Sequence, residues 1–266
     1  MQSVAGAGVV VTGAGSGIGA ALARRFAAEG ARVVVNDIDD AAAWVVAESC
    51  GGVAMPGDAA SEEGVASLVR GAGDALDGID MFCANAGVAR GAGDDASEAD
   101  WAASWEVNVM AHVRAARLLV PGWLERGSGH LICTVSAAGL LTMLGSAPYS
   151  VSKHAALSFA EWLAATHAHR GLTVQALCPM GVRTPMLAGI SPAAEIILGE
   201  TAIEPEDVAG TVMEAIADGR FLILPHPEVA QMYAGRATDP DRWLRGMNKL
   251  QQRTEQAAAA PAEGTG

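Results

Sequence analysis

The segment Thr12-Gly13-Ala14-Gly15-Ser16-Gly17-Ile18-Gly19 constrains this chain more than any other. It follows the apolar run Gly8–Val11 and opens a stretch, Gly17–Glu29, with helical patterning. A strand that feeds a glycine-rich turn and then a helix lets the backbone approach a pyrophosphate. The unpaired N–H groups at the helix start add positive potential there. Small residues alone also make tight turns, so the position of this one, between first strand and first helix, carries the inference.

The rest of the chain keeps that rhythm. Further strand candidates are Arg32–Asn36, Val53–Met55, Ile79–Ala84, His130–Val135, Leu172–Cys178 and Phe221–Leu224. Most are apolar throughout rather than alternating, as in parallel strands covered on both faces. Helical stretches lie between them, near Ala41–Glu48, Ser61–Leu76, Glu98–Arg126, Tyr149–His169 and Pro205–Ala217. The expected fold is α/β, a Rossmann-type doubly wound parallel sheet of about seven strands with helices on both faces. A single domain is expected over residues 1–250. Residues 180–203 are too long for a plain connection and, with Met186, Leu187, Ile190, Ile196, Ile197 and Leu198, read as a substrate lid. Residues 251–266, rich in Ala, Gln, Gly and Pro, are expected to be a disordered tail.

Composition excludes several classes of partner. With 17 basic and 30 acidic residues, the formal charge of −13 repels a phosphate backbone, and aromatics at 5% offer little for base stacking. Nucleic acid is not an expected partner. No run of about 18 apolar residues occurs, so no membrane span is expected. Cys50, Cys83, Cys133 and Cys178 show no C-x-x-C spacing and read as reduced thiols, mostly at the ends of buried strands. The N-terminus lacks the basic segment of a secretory leader, which makes the cytoplasm the expected address. His167 and His169 are two apart and there is no H-E-x-x-H, so no metal is expected. His154 reads as helix packing.

Asp37 ends the second strand, where dinucleotide folds place the acidic residue that hydrogen-bonds the adenosine ribose. It also discriminates by charge. NADP would put a phosphate of about −1.5 to −2 beside it. At about 4 Å and an effective dielectric near 20, each unit pair costs on the order of 4 kcal/mol. The neighbours Ser16 and Ile38 offer no compensating cation. NAD is the expected cofactor.

Tyr149-Ser150-Val151-Ser152-Lys153 opens a helix with Tyr149 and Lys153 at i and i+4 on one face. Tyrosine has a pKa near 10, and lowering it by about three units takes about 4 kcal/mol. An ammonium within about 4 Å in a partly desolvated site supplies an effect of that order, and an oxidised nicotinamide adds more positive charge. Ser136 ends the fifth strand at the carboxyl edge, where open α/β sheets bind ligands. A hydroxyl there can hydrogen-bond a substrate oxygen as its charge changes.

Taken together, the Gly13-x-x-x-Gly17-x-Gly19 turn, Asn85-Ala86-Gly87, Asn108, Ser136 and Tyr149-x-x-x-Lys153 resemble the signature set of the short-chain dehydrogenase/reductase family, in order and spacing, over about Gly6–Leu224. The resemblance implies an alcohol–carbonyl oxidoreductase. Tyr149 would be the acid/base and Ser136 would orient the substrate oxygen. Lys153 would bind the nicotinamide ribose and lower the Tyr149 pKa, while Asn108 would hold a proton-relay water. Cofactor contacts are implied for Gly13, Ser16, Gly17, Ile18, Gly19, Asp37, Ile38, Asp58, Ala59, Asn85, Ala86, Gly87, Tyr149, Lys153, Val182 and Thr184. The chain departs from the family at Ala84, usually Asn, and at Met180, which replaces the glycine of the usual Pro-Gly and is expected to narrow the pocket.

The expected substrate is a small, largely apolar secondary alcohol or its ketone. Val88–Gly93, Ala137–Ser146 and the lid converge on the Tyr149 side and carry Leu140, Leu141, Met143, Leu144, Met180, Met186 and Leu187. The helices from Glu98 and from Tyr149, with Trp101, Trp105, Trp162 and Leu163, resemble the family's paired helices across a two-fold axis, so a homotetramer or homodimer is expected. Two other readings compete. One is an NADPH-dependent carbonyl reductase of a biosynthetic pathway, which Asp37 opposes. The other is a catalytically inactive dinucleotide-sensing regulator, which has no physical need for Asn108, Ser136, Tyr149 and Lys153 together.

Overall fold

The structure is a computed structural model and describes residues 3–188 and 201–259. Seven parallel strands form one sheet: β1 (Gly8–Val11), β2 (Arg32–Val35), β3 (Val53–Ala54), β4 (Met81–Ala84), β5 (Gly129–Thr134), β6 (Leu172–Leu177) and β7 (Leu222–Ile223). Their order is β3-β2-β1-β4-β5-β6-β7. β1, β4 and β5 are buried along their whole length, which is why their sequences are apolar without alternation.

The helices are α1 (Gly17–Ala28), α2 (Asp40–Cys50), α3 (Glu62–Leu76), α4 (Glu98–Trp105), α5 (Ala111–Arg126), α6 (Ala147–His167), α7 (Pro185–Ala188), α8 (Pro205–Asp218), α9 (Glu228–Thr238) and α10 (Pro240–Ala259). Two apolar layers sandwich the sheet. Leu68 and Leu76 of α3, Leu119 and Trp123 of α5, and Leu157 and Leu163 of α6 fill one layer. Leu22 and Phe26 of α1, Val46 of α2, and Val208 and Ile216 of α8 fill the other. The chain turns from one face to the other between β1 and β4, and the crevice at this switch point opens at the carboxyl ends of the strands.

Three expectations are corrected. The helix expected over Glu98–Arg126 is broken by a π-helical turn, Glu106–Met110. The tail expected to be disordered from Gln251 continues as helix through Ala259, because it extends the amphipathic α10; residues 260–266 lie outside the described part. Leu163 is buried in the core, so it cannot serve an outer helix-pairing face, whereas Trp105 and Trp162 are exposed. Of the lid, Ile190, Ile196, Ile197 and Leu198 lie outside the described residues. None of the described helices is long and apolar enough to cross a membrane. All four cysteines are free.

Candidate active site

A cavity of about 870 Å³ runs along the carboxyl edge of the sheet, from the glycine turn to the C-terminal helices. At its first end Gly13, Ser16, Gly17, Ile18 and Gly19 form one wall. Gly17 has a φ of 51°, and a Cβ there would lie 2.8 Å from the Thr184 methyl group. A Cβ on Gly19 would lie 2.2 Å from the Gly13 carbonyl oxygen. The turn therefore leaves a cradle that single side chains would fill. Ser16 sits at the N-cap of α1, yet its hydroxyl makes no capping bond, which leaves it and the helix N–H groups available to a phosphate.

Asp37 and Ile38 stand at the end of β2. One Asp37 carboxylate oxygen accepts from the Gly15 N–H at 2.8 Å and the other from the Asp39 N–H at 3.0 Å. The acid is thus held in place while each oxygen keeps a free lone pair. Asp58 and Ala59 line the same end. Burial raises the Asp58 pKa, but hydrogen bonds from the Ala60 and Ser61 backbone and the Arg114 charge outweigh it, leaving the carboxyl below its ordinary value. Among the described residues lining this end, none is a lysine or arginine.

The middle of the cavity is fixed by Thr12 and Asn85. The Thr12 hydroxyl accepts from the N–H groups of Asn85 at 3.0 Å and Ala86 at 3.1 Å. The Asn85 amide donates to the carbonyls of Thr12 and Gly13, and its oxygen accepts from the Thr134 hydroxyl at 3.0 Å. The ends of β1, β4 and β5 are locked together through one side chain. Ala86 and Gly87 follow as cavity wall, and Val182 and Thr184 face them from beyond β6.

Asn108, Ser136, Tyr149 and Lys153 are brought to one corner. Asn108 sits in the π-helical turn, fully buried. Its oxygen accepts from the Val88 N–H at 2.9 Å, and its amide donates to the Val88 carbonyl at 2.9 Å and the Ser152 hydroxyl at 3.0 Å. Gly87 brings the group together, since a Cβ there would lie 3.3 Å from the Asn108 oxygen and 3.4 Å from the Lys153 Nζ. Ser136 has a φ of 138° and ψ of 155°, a conformation almost reserved for glycine that costs on the order of 1–3 kcal/mol. Its hydroxyl accepts from the Ala138 N–H at 3.1 Å and is the polar neighbour of the Tyr149 hydroxyl.

Burial raises the Tyr149 pKa above its ordinary value, the Ser136 hydroxyl opposing and the Cys178 sulfur adding to the rise. Lys153 stands beside the ring, its Nζ 5.6 Å from the ring centroid. Burial also pushes the Lys153 ammonium itself down to about 8. Behind it, on α5, His112 is buried with neither ring nitrogen partnered; burial, and then the Lys153 charge, push it down to about 3.

Beyond Tyr149 the cavity is apolar. Leu141, Met143, Leu144, Met180, Met186 and Leu187 line it, all from segments expected to converge there. Leu140 is instead buried in the core at 1% exposure. Arg183 points away, pairing with Glu204 at 3.5 Å and with the Ala202 carbonyl. The far wall was not read from the sequence: Glu228 and Met232 of α9, and Trp243, Met247 and Leu250 of α10. The i, i+4, i+7 spacing of Trp243, Met247 and Leu250 is the signal that would have found an apolar helix face there.

Residues 7–195 match the family model described as short chain dehydrogenase. The chain is 42% identical over 228 residues to the 1-deoxy-11-beta-hydroxypentalenate dehydrogenase of Streptomyces exfoliatus, with 82% of each chain covered. Among solved structures, it superposes on a short chain dehydrogenase/reductase from Burkholderia phymatum in complex with NAD. That match has a TM-score of 0.83 and 29% identity, covering 91% of this chain and 96% of that one. It also superposes on a 7 alpha-hydroxysteroid dehydrogenase complexed with NADH and 7-oxo glycochenodeoxycholic acid, with a TM-score of 0.75 and 27% identity, covering 84% and 93%.

Proposed function

The chain belongs to the short-chain dehydrogenase family and is an oxidoreductase, and we propose that it interconverts a secondary alcohol and its ketone with NAD, using Tyr149 as acid/base. The reading rests on one observation. Ser136, Tyr149 and Lys153 line the same cavity that the glycine turn and Asp37 open at its other end, with Asn108 buried beside Gly87 at their corner.

Gly13, Ser16, Gly17, Ile18 and Gly19 would hold the pyrophosphate, and Asp37, Ile38, Asp58 and Ala59 the adenosine. Asn85, Ala86, Gly87, Val182 and Thr184 would line the path to the nicotinamide, with Lys153 on its ribose. When bound, NAD accepts a hydride and brings positive charge on its oxidised ring. The chain's own residues manage the proton. Ser136 donates a hydrogen bond to the substrate oxygen, and Tyr149 takes the hydroxyl proton in oxidation and returns it in reduction. Lys153, anchored by its 2.8 Å bond to the Thr134 carbonyl, holds a cation beside the phenol. Asn108, through its grip on Val88, sets the bend at which a relay water can sit.

The substrate fits as a bulky, largely apolar cyclic alcohol. One relative is named for a hydroxypentalenate, and the hydroxysteroid dehydrogenase is complexed with 7-oxo glycochenodeoxycholic acid. Sugar hydroxyls left unpaired among Leu141, Met143, Leu144 and Met180 would cost about 1–3 kcal/mol each. A small 2-hydroxy acid would find Lys153 as the one lysine or arginine among the described lining residues, which also include the carboxylate of Glu228. A homo-oligomer in the cytoplasm, where the free thiols remain reduced, completes the reading.

The test is Tyr149→Phe, which keeps the ring and removes the proton carrier. Turnover of secondary alcohols should fall by at least about a hundredfold while NAD binding stays measurable. A variant retaining more than about a tenth of the wild-type rate is incompatible with Tyr149 as the acid/base.

A further inference from the structure

Helices α9 and α10 leave the sheet and close the far wall of the chamber. Of α9, Val229 is the one buried residue, so apolar packing holds it weakly. Arg236 supplies the polar tie. Its Nη1 donates to the Leu140 carbonyl oxygen and to His154 Nε2, the latter at 2.9 Å. The other imidazole nitrogen, Nδ1, lies 2.8 Å from the Ser150 carbonyl oxygen. A guanidinium has no acceptor and a carbonyl no donor, so in these contacts Nε2 accepts from Arg236 and Nδ1 donates to Ser150.

The same helix, α6, pins the chamber loop a second time. The Ser150 hydroxyl accepts from the Met143 N–H at 2.9 Å and donates to the Met143 carbonyl at 3.0 Å. Between the two pins, Thr142 is held at a φ of 106°, which a β-branched residue adopts only when its surroundings impose it. The loop wall of the chamber is therefore shaped by restraints at Leu140 and Met143. The restraint at Leu140 comes from the C-terminal cover.

We propose that Arg236 is a positioning residue of the substrate chamber. By holding Leu140 and His154 at once, it fastens the α9–α10 cover and the 140–144 loop to the helix that carries Tyr149 and Lys153. It thereby sets the preference for bulky over small alcohols. Arg236 touches neither cofactor nor reacting atoms; it acts through the wall it holds. This rests on the secondary-alcohol reading above.

The experiment compares full-length wild type with Arg236→Met, His154→Leu and His154→Gln. Three measurements are made: NAD-dependent oxidation of 2-decalol and of 2-propanol, NAD affinity, and amide hydrogen exchange. Arg236→Met should raise KM for 2-decalol by at least about tenfold with kcat within about threefold, and leave kcat/KM for 2-propanol and NAD affinity within about twofold. Exchange should quicken together in residues 140–144 and 228–250. His154→Leu should follow Arg236→Met, while His154→Gln, whose amide oxygen still accepts from Arg236, should stay near wild type. Unchanged exchange in both segments overturns the proposal, as does an equal loss of activity on the two alcohols. If wild type oxidises neither alcohol, the secondary-alcohol reading fails, and coupled exchange alone decides whether the clamp exists.

Discussion

Lys153 stands beside Tyr149 while bonded to the sheet: its Nζ donates to the Thr134 carbonyl at 2.8 Å and lies 5.6 Å from the centre of the tyrosine ring. Within the chain alone, burial governs the phenol and keeps it protonated at neutral pH. The charge that favours the phenolate has to be completed by the oxidised cofactor. Tyr149 and Tyr233 are the two tyrosines of the chain, so Tyr233→Phe isolates the signal. In that variant, ultraviolet absorbance should place the Tyr149 ionisation above 10 without cofactor, and NAD should lower it by at least about one unit. A midpoint below 10 in the free protein contradicts burial as the governing effect.

Asp37 gives a second prediction. Wild type should prefer NAD to NADP by at least about tenfold in kcat/KM, or roughly 1.4 kcal/mol. Asp37→Asn keeps an oxygen to accept from the Gly15 N–H but removes the charge. The preference should shrink by about tenfold in that variant with little loss of stability. Equal kcat/KM for the two cofactors in wild type contradicts the charge argument.

The strands were legible because Val9, Val10, Val11, Leu131 and Ile132 are covered on both faces, and burial of that kind leaves an uninterrupted apolar run. Tyr149 and Lys153 were legible as a pair because helical spacing is local. The π-helical turn was not, since the side-chain bonds of Asn108 reach Val88 and Ser152, far off in sequence. Arg236 was silent for the same reason: its partners are 82 and 96 residues away.

Two buried histidines predict acid sensitivity. On β5, His130 donates to the Gln175 side-chain oxygen at 2.8 Å, and the Gln175 amide is spent on the carbonyls of Ala215 and Arg220. Burial pushes His130 down to about 4 and His112 to about 3. Unfolded, each titrates near 6.5. The unfolded chain therefore binds more protons between these values. Stability is whole above about 6.5 and is lost as pH falls towards about 4, by roughly 3 kcal/mol for His130. Urea midpoints measured across that range should fall steeply in wild type and more shallowly in His130→Gln. Parallel slopes in the two proteins would remove His130 from the account.

The last prediction concerns assembly. Trp105 at the end of α4, Leu118 on α5, and Val151 and Trp162 on α6 are exposed by 44%, 45%, 48% and 59%. These helices cover one face of the sheet, so the apolar side chains stand on the outer side of a single layer. Large apolar side chains gain about 1.5–3 kcal/mol each when fully removed from water, and a two-fold pairing doubles the number covered. The chain should therefore exceed its 27.0 kDa monomer mass in solution, as a homodimer or homotetramer. Trp162→Glu places a charge in the middle of such an interface, where burial without a partner is costly. Light scattering at micromolar concentration should report a smaller species for Trp162→Glu than for wild type. A wild-type mass of one chain under those conditions would rule out pairing through this layer.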